Sequence, residues 1–266
     1  MKSPTYDLAI DNFGNLALLA FGLKALPMKR SLTLGFLFIL ATLAAAWPCR
    51  TLAAAQSPSP AGDLNSVLAQ MNSSAAGFKS AQADFEFESY QRVVDEKDLQ
   101  KGRIYFRRNG KGNVEVAFNV TSPAPKQALF KNGTLLLYDP KIDQVTERDF
   151  SKNRADVEAF LSLGFGARGD ELQKAYAVTL AGWEPIETVR TAKLELVPKN
   201  EKTRQTYSKI ILWIDPEKDV LLKQQLIEPS GDYRLARYLN MKLNSKLSDD
   251  EFKLKTTGKT KTVRPQ

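Results

Sequence analysis

The sequence predicts a mainly β protein with covering helices (α+β), built as one large, strongly curved antiparallel sheet with helices on its concave side. Three observations lead there. Segment after segment alternates apolar and polar residues with period two, the mark of antiparallel strands with one wet face. Helical spacing of apolar residues is confined to a few short stretches. The order runs helix, strand meander, helices, strand meander, with no internal repeat.

After the linker Ser57–Asp63, "SPSPAGD", residues Leu64, Val67, Leu68 and Met71 recur at helical spacing, with Asp63 placed to cap them. In "AQADFEFESYQ", Ala83, Phe85 and Phe87 share one face, and Asp84, Glu86 and Glu88 the other. In "KGRIYFRR", Gly102, Ile104, Phe106 and Arg108 lie opposite Lys101, Arg103, Tyr105 and Arg107. The acidic outer face of the first strand would meet the basic outer face of the second. "GNVEVAFNV" puts Val114, Val116, Phe118 and Val120 on one side. "LFKNGTLLLYDP" reads as a hairpin around Asn132-Gly133. A two-residue turn sets Phe130 against Leu135 and Leu129 against Leu136, so both faces of this hairpin are apolar. "QVTERDF" is one more short strand.

From Asn153 the period changes, and Val157, Phe160, Leu161 and Leu163 form a helical stripe stopped by Gly164 and Gly166. "SLGFGARGD" reads as a helix stop and loop, and Asp170 to Ala177 as another helical turn or two. Strands return at "TAKLELVPK", with Ala192, Leu194 and Leu196 on one face. "SKIILWIDP" is apolar on both faces, Ile210, Leu212 and Ile214 against Ile211 and Trp213. "DVLLKQQLIEP" follows, and "YRLARYLNMKL" puts Leu235, Leu239, Met241 and Leu243 together. Ser248 to Glu251 has the form of a capping box holding Phe252, and the basic tail reads as a final strand or a loosely held end.

The first residues have the layout of an export signal. Met28-Lys29-Arg30 is a basic start, "SLTLGFLFILATLAAAW" is apolar, and Ala53 and Ala55 are small residues suited to cleavage after Ala55. The expected division is an upstream extension at 1–27, a signal peptide at 28–55, a linker at 56–62 and a single domain at 63–266, which is exported. Cleavage removes five basic and two acidic residues from totals of 38 and 30, leaving 33 against 28. That mild excess suits an anionic membrane surface or an acidic partner and is too diffuse for nucleic acid.

Histidine is absent from the chain, and the one cysteine, Cys49, lies in the signal. Ser-His-Asp, Cys-His and His/Cys zinc sites are therefore excluded in their usual forms. No phosphate-cradling or dinucleotide glycine motif is present. No metal, cofactor or catalytic residue is predicted. A carboxylate-based hydrolase remains the enzymatic alternative.

The apolar faces carry the functional reading. A widely curved sheet that its helices do not fill leaves a cavity for acyl chains. The candidate lining is Phe85, Phe87, Ile104, Phe106, Val114, Val116, Phe118, Leu135, Leu137, Leu194, Leu196, Ile210, Leu212, Leu239 and Met241. Alternation also puts Arg108 on the face of Ile104 and Phe106, where a charge needs carbonyls or a carboxylate. One use is to latch a helical lid across the cavity mouth.

Together these segments resemble the LolA family of periplasmic outer-membrane lipoprotein carriers. "ADFEFESYQ" sits where the family has F-x-Q, "KGRIYFRR" resembles its G-x-L-x-x-x-R-P strand, and "LFKNGTLLLYDPKIDQVTE" is similar to its D/N-G-K-T-L-W-x-Y-D/N-P-x-x-x-Q-V. "AKLELVPK", "YSKIILWIDPE" and "LNMKLNSKLSDDEFKLK" continue the match. Asn109 stands in place of the proline, Arg107 offers a second match for the arginine, and Leu136 or Leu137 replaces tryptophan.

The resemblance implies an incomplete antiparallel β-barrel with a helical lid. It also implies a monomeric, non-enzymatic chaperone that takes acylated lipoproteins from an inner-membrane lipoprotein-releasing ABC transporter to an outer-membrane acceptor. It assigns Arg108 to the arginine that hydrogen-bonds the lid. A carrier or sensor of another envelope lipid or glycolipid is the other reading.

Overall fold

The computed structural model describes residues 63–109 and 112–265. The expected extension, signal peptide and linker fall outside the described residues. The structure opens with helix α1 (Leu64–Ala75), capped by Asp63, whose carboxylate accepts from Ser66 N at 2.8 Å. A first meander follows, β1 (Ser80–Gln91), β2 (Glu96–Arg108), β3 (Val114–Ser122), β4 (Lys126–Lys131), β5 (Thr134–Asp139) and β6 (Gln144–Asp149). Then come α2 (Arg154–Leu161) and α3 (Gly169–Ala175). The second meander is β7 (Tyr176–Ile186), β8 (Val189–Pro198), β9 (Lys209–Asp215), β10 (Val220–Ile227) and β11 (Tyr233–Leu243), with α4 (Glu201–Thr206) before β9. A short strand β12 (Lys261–Val263) ends the chain.

All twelve strands form one curved sheet in the order β12-β6-β5-β4-β3-β2-β1-β11-β10-β9-β8-β7. The sheet is open, because its edge strands β12 and β7 do not meet. It is also mixed, since β12 runs parallel to β6. The expectation of a wholly antiparallel sheet fails there, at a strand supplied by the tail after it has crossed from β11 to the opposite edge. The alternation expected for β1 and β2 is present: Phe85, Phe87, Ile104 and Phe106 are buried. On the outer face Arg103, Lys101 and Lys97 reach Asp84, Glu86 and Glu88 at 2.9, 2.6 and 3.3 Å. Pairs this exposed are worth about 0.2–1 kcal/mol each, so the apolar face sets the register.

Strand order dictates what covers the faces. β6 and β7 are consecutive in the chain yet stand near opposite edges, so the segment joining them must cross the sheet. That segment is α2, a loop from Ser162 to Arg168, and α3. In the middle of its path Phe165 bridges Val220, and the Gly164 carbonyl accepts from Leu221 N at 2.9 Å. The chain between β11 and β12 likewise crosses the other face, where Phe252 packs with Tyr105, Ala117 and Leu129, flanked by Leu136, Leu247 and Leu254.

This explains the doubly apolar hairpin. β4 and β5 pair Phe130 with Leu135 and Leu129 with Leu136, the register expected of a two-residue turn at Asn132-Gly133. Phe130 and Leu135 face the α2 side with Phe150 and Val157. Leu129 and Leu136 lie under the C-terminal segment.

Candidate functional site

A cavity of about 80 Å³ lies between the concave face and the crossing segment. Phe87, Ile104, Val116, Phe118, Ala128, Phe130 and Leu135 line it from β1–β5, and Gln224, Leu226, Arg234, Ala236 and Tyr238 from β10 and β11. Phe160, Leu161, Leu163 and Phe165 close it. Phe165 is the plug. It stacks on Phe106 at 5.7 Å between ring centres and meets Tyr238 edge-on at 5.1 Å. With these side chains in place the space left above the sheet is small.

A side-chain hydrogen bond from β2 also fastens that segment. Arg108 Nη2 donates to the Gly166 carbonyl at 3.1 Å. Gly166 has φ +68°, and a Cβ there would lie 2.5 Å from the Phe78 ring, so only glycine lets the backbone pass this close. Arg108 also lines an outer groove of about 940 Å³ beside α2 and α3. Arg107, the second match, turns to the opposite face, where it pairs with Glu115 and Asp249, both at 2.7 Å, and stacks on Phe252 at 4.0 Å.

Near Arg108 lies a buried acid. Asp219, in the β9–β10 turn at φ +51°, is 0% exposed, and neither carboxylate oxygen has a hydrogen-bond partner. Burial pushes its pKa up to about 7, against the opposing pull of Arg108. The same turn is tied to α1, where Ser74 Oγ donates to the Glu217 carbonyl at 3.0 Å.

Of the residues expected to line a cavity, Phe87, Ile104, Val116, Phe118 and Leu135 do so. Phe85, Phe106, Val114, Leu194, Leu196, Ile210 and Leu212 do not line it; they belong to the core cluster that also holds Val67, Leu68 and Met71 of α1, and Val114 lines the outer groove. The helix fills that part of the concavity. Met241 packs against the same cluster from its margin, and Leu137 joins the satellite cluster around Phe130. Leu239 is a correction. The cavity face of β11 carries Arg234, Ala236 and Tyr238, and Leu239 lies on the other side. Asn240, at φ +53°, and Met241 together oppose the single residue Ala83, and this bulge inverts the alternation. Reading one phase through Leu235, Leu239, Met241 and Leu243 therefore hid Arg234.

Three further residues or segments escaped the sequence reading. Asp219 has the spacing of an ordinary turn acid. "SLGFGARGD" was assigned to a plain loop, whereas Ser162 to Ala167 are all buried. The signal available was Phe165 between two glycines, an aromatic held on backbone that can approach a sheet closely. Strand β7 was passed over, and helix α3 stops at Ala175.

Residues 76–255 match the family described as outer membrane lipoprotein carrier protein LolA. A search of curated proteins returns no match. Among solved structures, the Pseudomonas aeruginosa MucA/MucB complex is similar at 16% identity and TM-score 0.45, over 73% of this chain and 61% of that one. The chain thus spans less than two thirds of that relative. A LolA superfamily protein from Nitrosomonas europaea is similar at 19% identity and TM-score 0.36, over 73% and 99%. LprF from Mycobacterium bovis is similar at 12% and 0.44, over 70% and 94%. With a family match that spans most of its length, the chain belongs to the LolA family of outer membrane lipoprotein carriers.

Proposed function

We propose that the protein is a periplasmic carrier, without catalytic activity, that takes the acyl chains of lipoproteins into this cavity and shuttles them from the inner to the outer membrane. The donor is an inner-membrane lipoprotein-releasing ABC transporter and the receiver an outer-membrane acceptor. The observation that carries the reading is the Arg108–Gly166 hydrogen bond, which ties the crossing segment across an apolar cavity. Among the described residues no helix is long and apolar enough to cross a membrane.

The energetics suit transfer. Each buried methylene is worth about 0.8 kcal/mol against water, so an acyl chain does not cross an aqueous compartment unaided. Exchange between bilayer and apolar cavity keeps the net change small. Closure then favours release, because the Phe165 contacts and the Arg108 hydrogen bond form only when cargo has left. A hydrogen bond to a charged group contributes about 1.5–3 kcal/mol, enough to shift an open–closed equilibrium at least tenfold.

The test is recovery of the protein from its own periplasm and identification of bound molecules by mass spectrometry, with photo-crosslinking to lipoproteins. Acylated peptide is expected. A lipid without peptide would favour a carrier of another envelope lipid, and neither lipid nor crosslink would end the carrier reading. In a two-membrane transfer assay, Arg108→Leu should bind cargo and pass it on poorly. Normal transfer by that variant would remove the latch role.

A further inference from the structure

The cavity is apolar except at one place. Arg234 lines it beside Ala236 and Tyr238 and is 6% exposed. Its Nη2 donates to Glu228 Oε1 at 2.9 Å, whereas Nη1 is buried with no hydrogen-bond partner. A second orphan lies behind the cavity wall. Tyr207 is 0% exposed, its hydroxyl has no partner, and it feels the charges of both Arg234 and Glu228. Its ring stacks on Phe160, in the cavity wall, at 6.0 Å. Gln224 also lines the cavity. The register sets Gln224 opposite Ala236 and Leu226 opposite Arg234, so Gln224 and Arg234 are diagonal neighbours.

Buried donors are normally satisfied, and an unpartnered guanidinium nitrogen in the cavity wall, with a buried hydroxyl behind it, calls for an oxygen that the protein does not supply. We propose that Arg234 Nη1, the Tyr207 hydroxyl and Gln224 form a socket for the ester carbonyl of a glycerol-linked acyl chain. This rests on the carrier reading and adds which end of the cargo the cavity grips. Glu228 decides that the guest is neutral. It already balances Arg234, so a carboxylate or phosphate would bring an uncompensated charge into an apolar space. A carbonyl offers two lone pairs to two donors and adds no charge.

The test measures binding of monolauroylglycerol, the matching dodecyl glycerol ether and laurate to the full protein. A diacylglyceryl lipopeptide and its ether analogue run alongside, to show whether the preference holds for peptide-linked as well as free glycerolipid. The ester should bind about tenfold more tightly than the ether in at least one of these pairs, and laurate no more tightly than the ester. Tyr207→Phe should shrink the ester preference. The double variant Arg234→Met/Glu228→Gln, which leaves no stranded carboxylate, should abolish it while ether binding stays. Tyr207→Phe alone decides the matter if the double variant does not fold.

Equal binding of ester and ether by the unaltered protein in both pairs overturns the socket and leaves the carrier intact. So does tighter binding of laurate, or an ester preference that survives the variants. Failure of every lipid to bind removes the carrier reading and the socket with it.

Discussion

Arg108 hydrogen-bonds the carbonyl of Gly166 and makes no hydrogen bond to Asp219, although its charge reaches that carboxylate. The closed form thus keeps a buried acid without a partner next to the cation that fastens the cover. The acid's pKa stands at about 7, well above its ordinary 3.8. Between these values the folded protein binds a proton that the unfolded chain lacks, so stability falls as pH rises from about 4 to 7. At 1.36 kcal/mol per pH unit, the loss reaches up to about 4 kcal/mol above pH 7. Asp219→Asn keeps the shape and removes the titration. Its melting temperature should exceed that of the unaltered protein at pH 8, and the gap should close near pH 4. A gap of constant size across that range would rule out the titration.

The crossing loop depends on Gly166. Alanine there meets both a left-handed backbone and the Phe78 ring at 2.5 Å. The backbone cost alone is about 1 kcal/mol, and the clash adds to it. Relief is available by lifting the loop, which withdraws the Gly166 carbonyl from Arg108 and Phe165 from its aromatic seat. Gly166→Ala should therefore fold, melt at lower temperature and bind an apolar fluorescent dye more strongly, because the cavity is open more of the time. Unchanged dye binding would mean that the loop is not the moving part.

How much was legible follows from the same residues. Strands β1 and β2 could be read directly, because one face is apolar and the other mostly charged, and the β4–β5 register followed from its turn. β11 could not, because the bulge at Asn240 changes the phase within an apolar run, and only the partner strand reveals it. Five of the fifteen residues expected to line the cavity do so, and the shortfall has a related reason. Alternation tells which face is buried, whereas whether α1 or empty space lies above a given residue depends on contacts distant in sequence. Asp219 and Tyr207 owe their interest to missing partners, which no local pattern records. Arg108 stood out because a charge broke an apolar face.

Arg107 and Arg108 are adjacent and differ in what their loss should do. The Glu115 side chain is 4% exposed and its closest cation is Arg107, with Lys131 more distant at 3.7 Å. Arg107→Met strands that carboxylate and should lower stability by about 3 kcal/mol, measured by urea unfolding. Adding Glu115→Gln should restore part of the loss, since the stranded charge is gone. Arg108→Leu should cost less stability and show its effect in cargo transfer. Equal destabilisation by the two changes would contradict their placement on opposite faces.

The hairpin that carries leucines on both faces offers the sharpest separation of cavity from scaffold. Leu135 is 4% exposed and lines the cavity, and its neighbour Leu136 packs under the C-terminal segment. Leu135→Ala removes wall from the cavity, at a cost of about 2–5 kcal/mol in the empty protein. An acyl chain can occupy the vacated space, so bound lipid should recover part of that loss. Leu136→Ala also destabilises, through the tail it supports, but no lipid can reach the gap. Melting curves with and without a lauroyl ester should therefore show a larger lipid-induced rise for Leu135→Ala than for Leu136→Ala. Equal rises would mean that lipid does not sit against the β4–β5 wall.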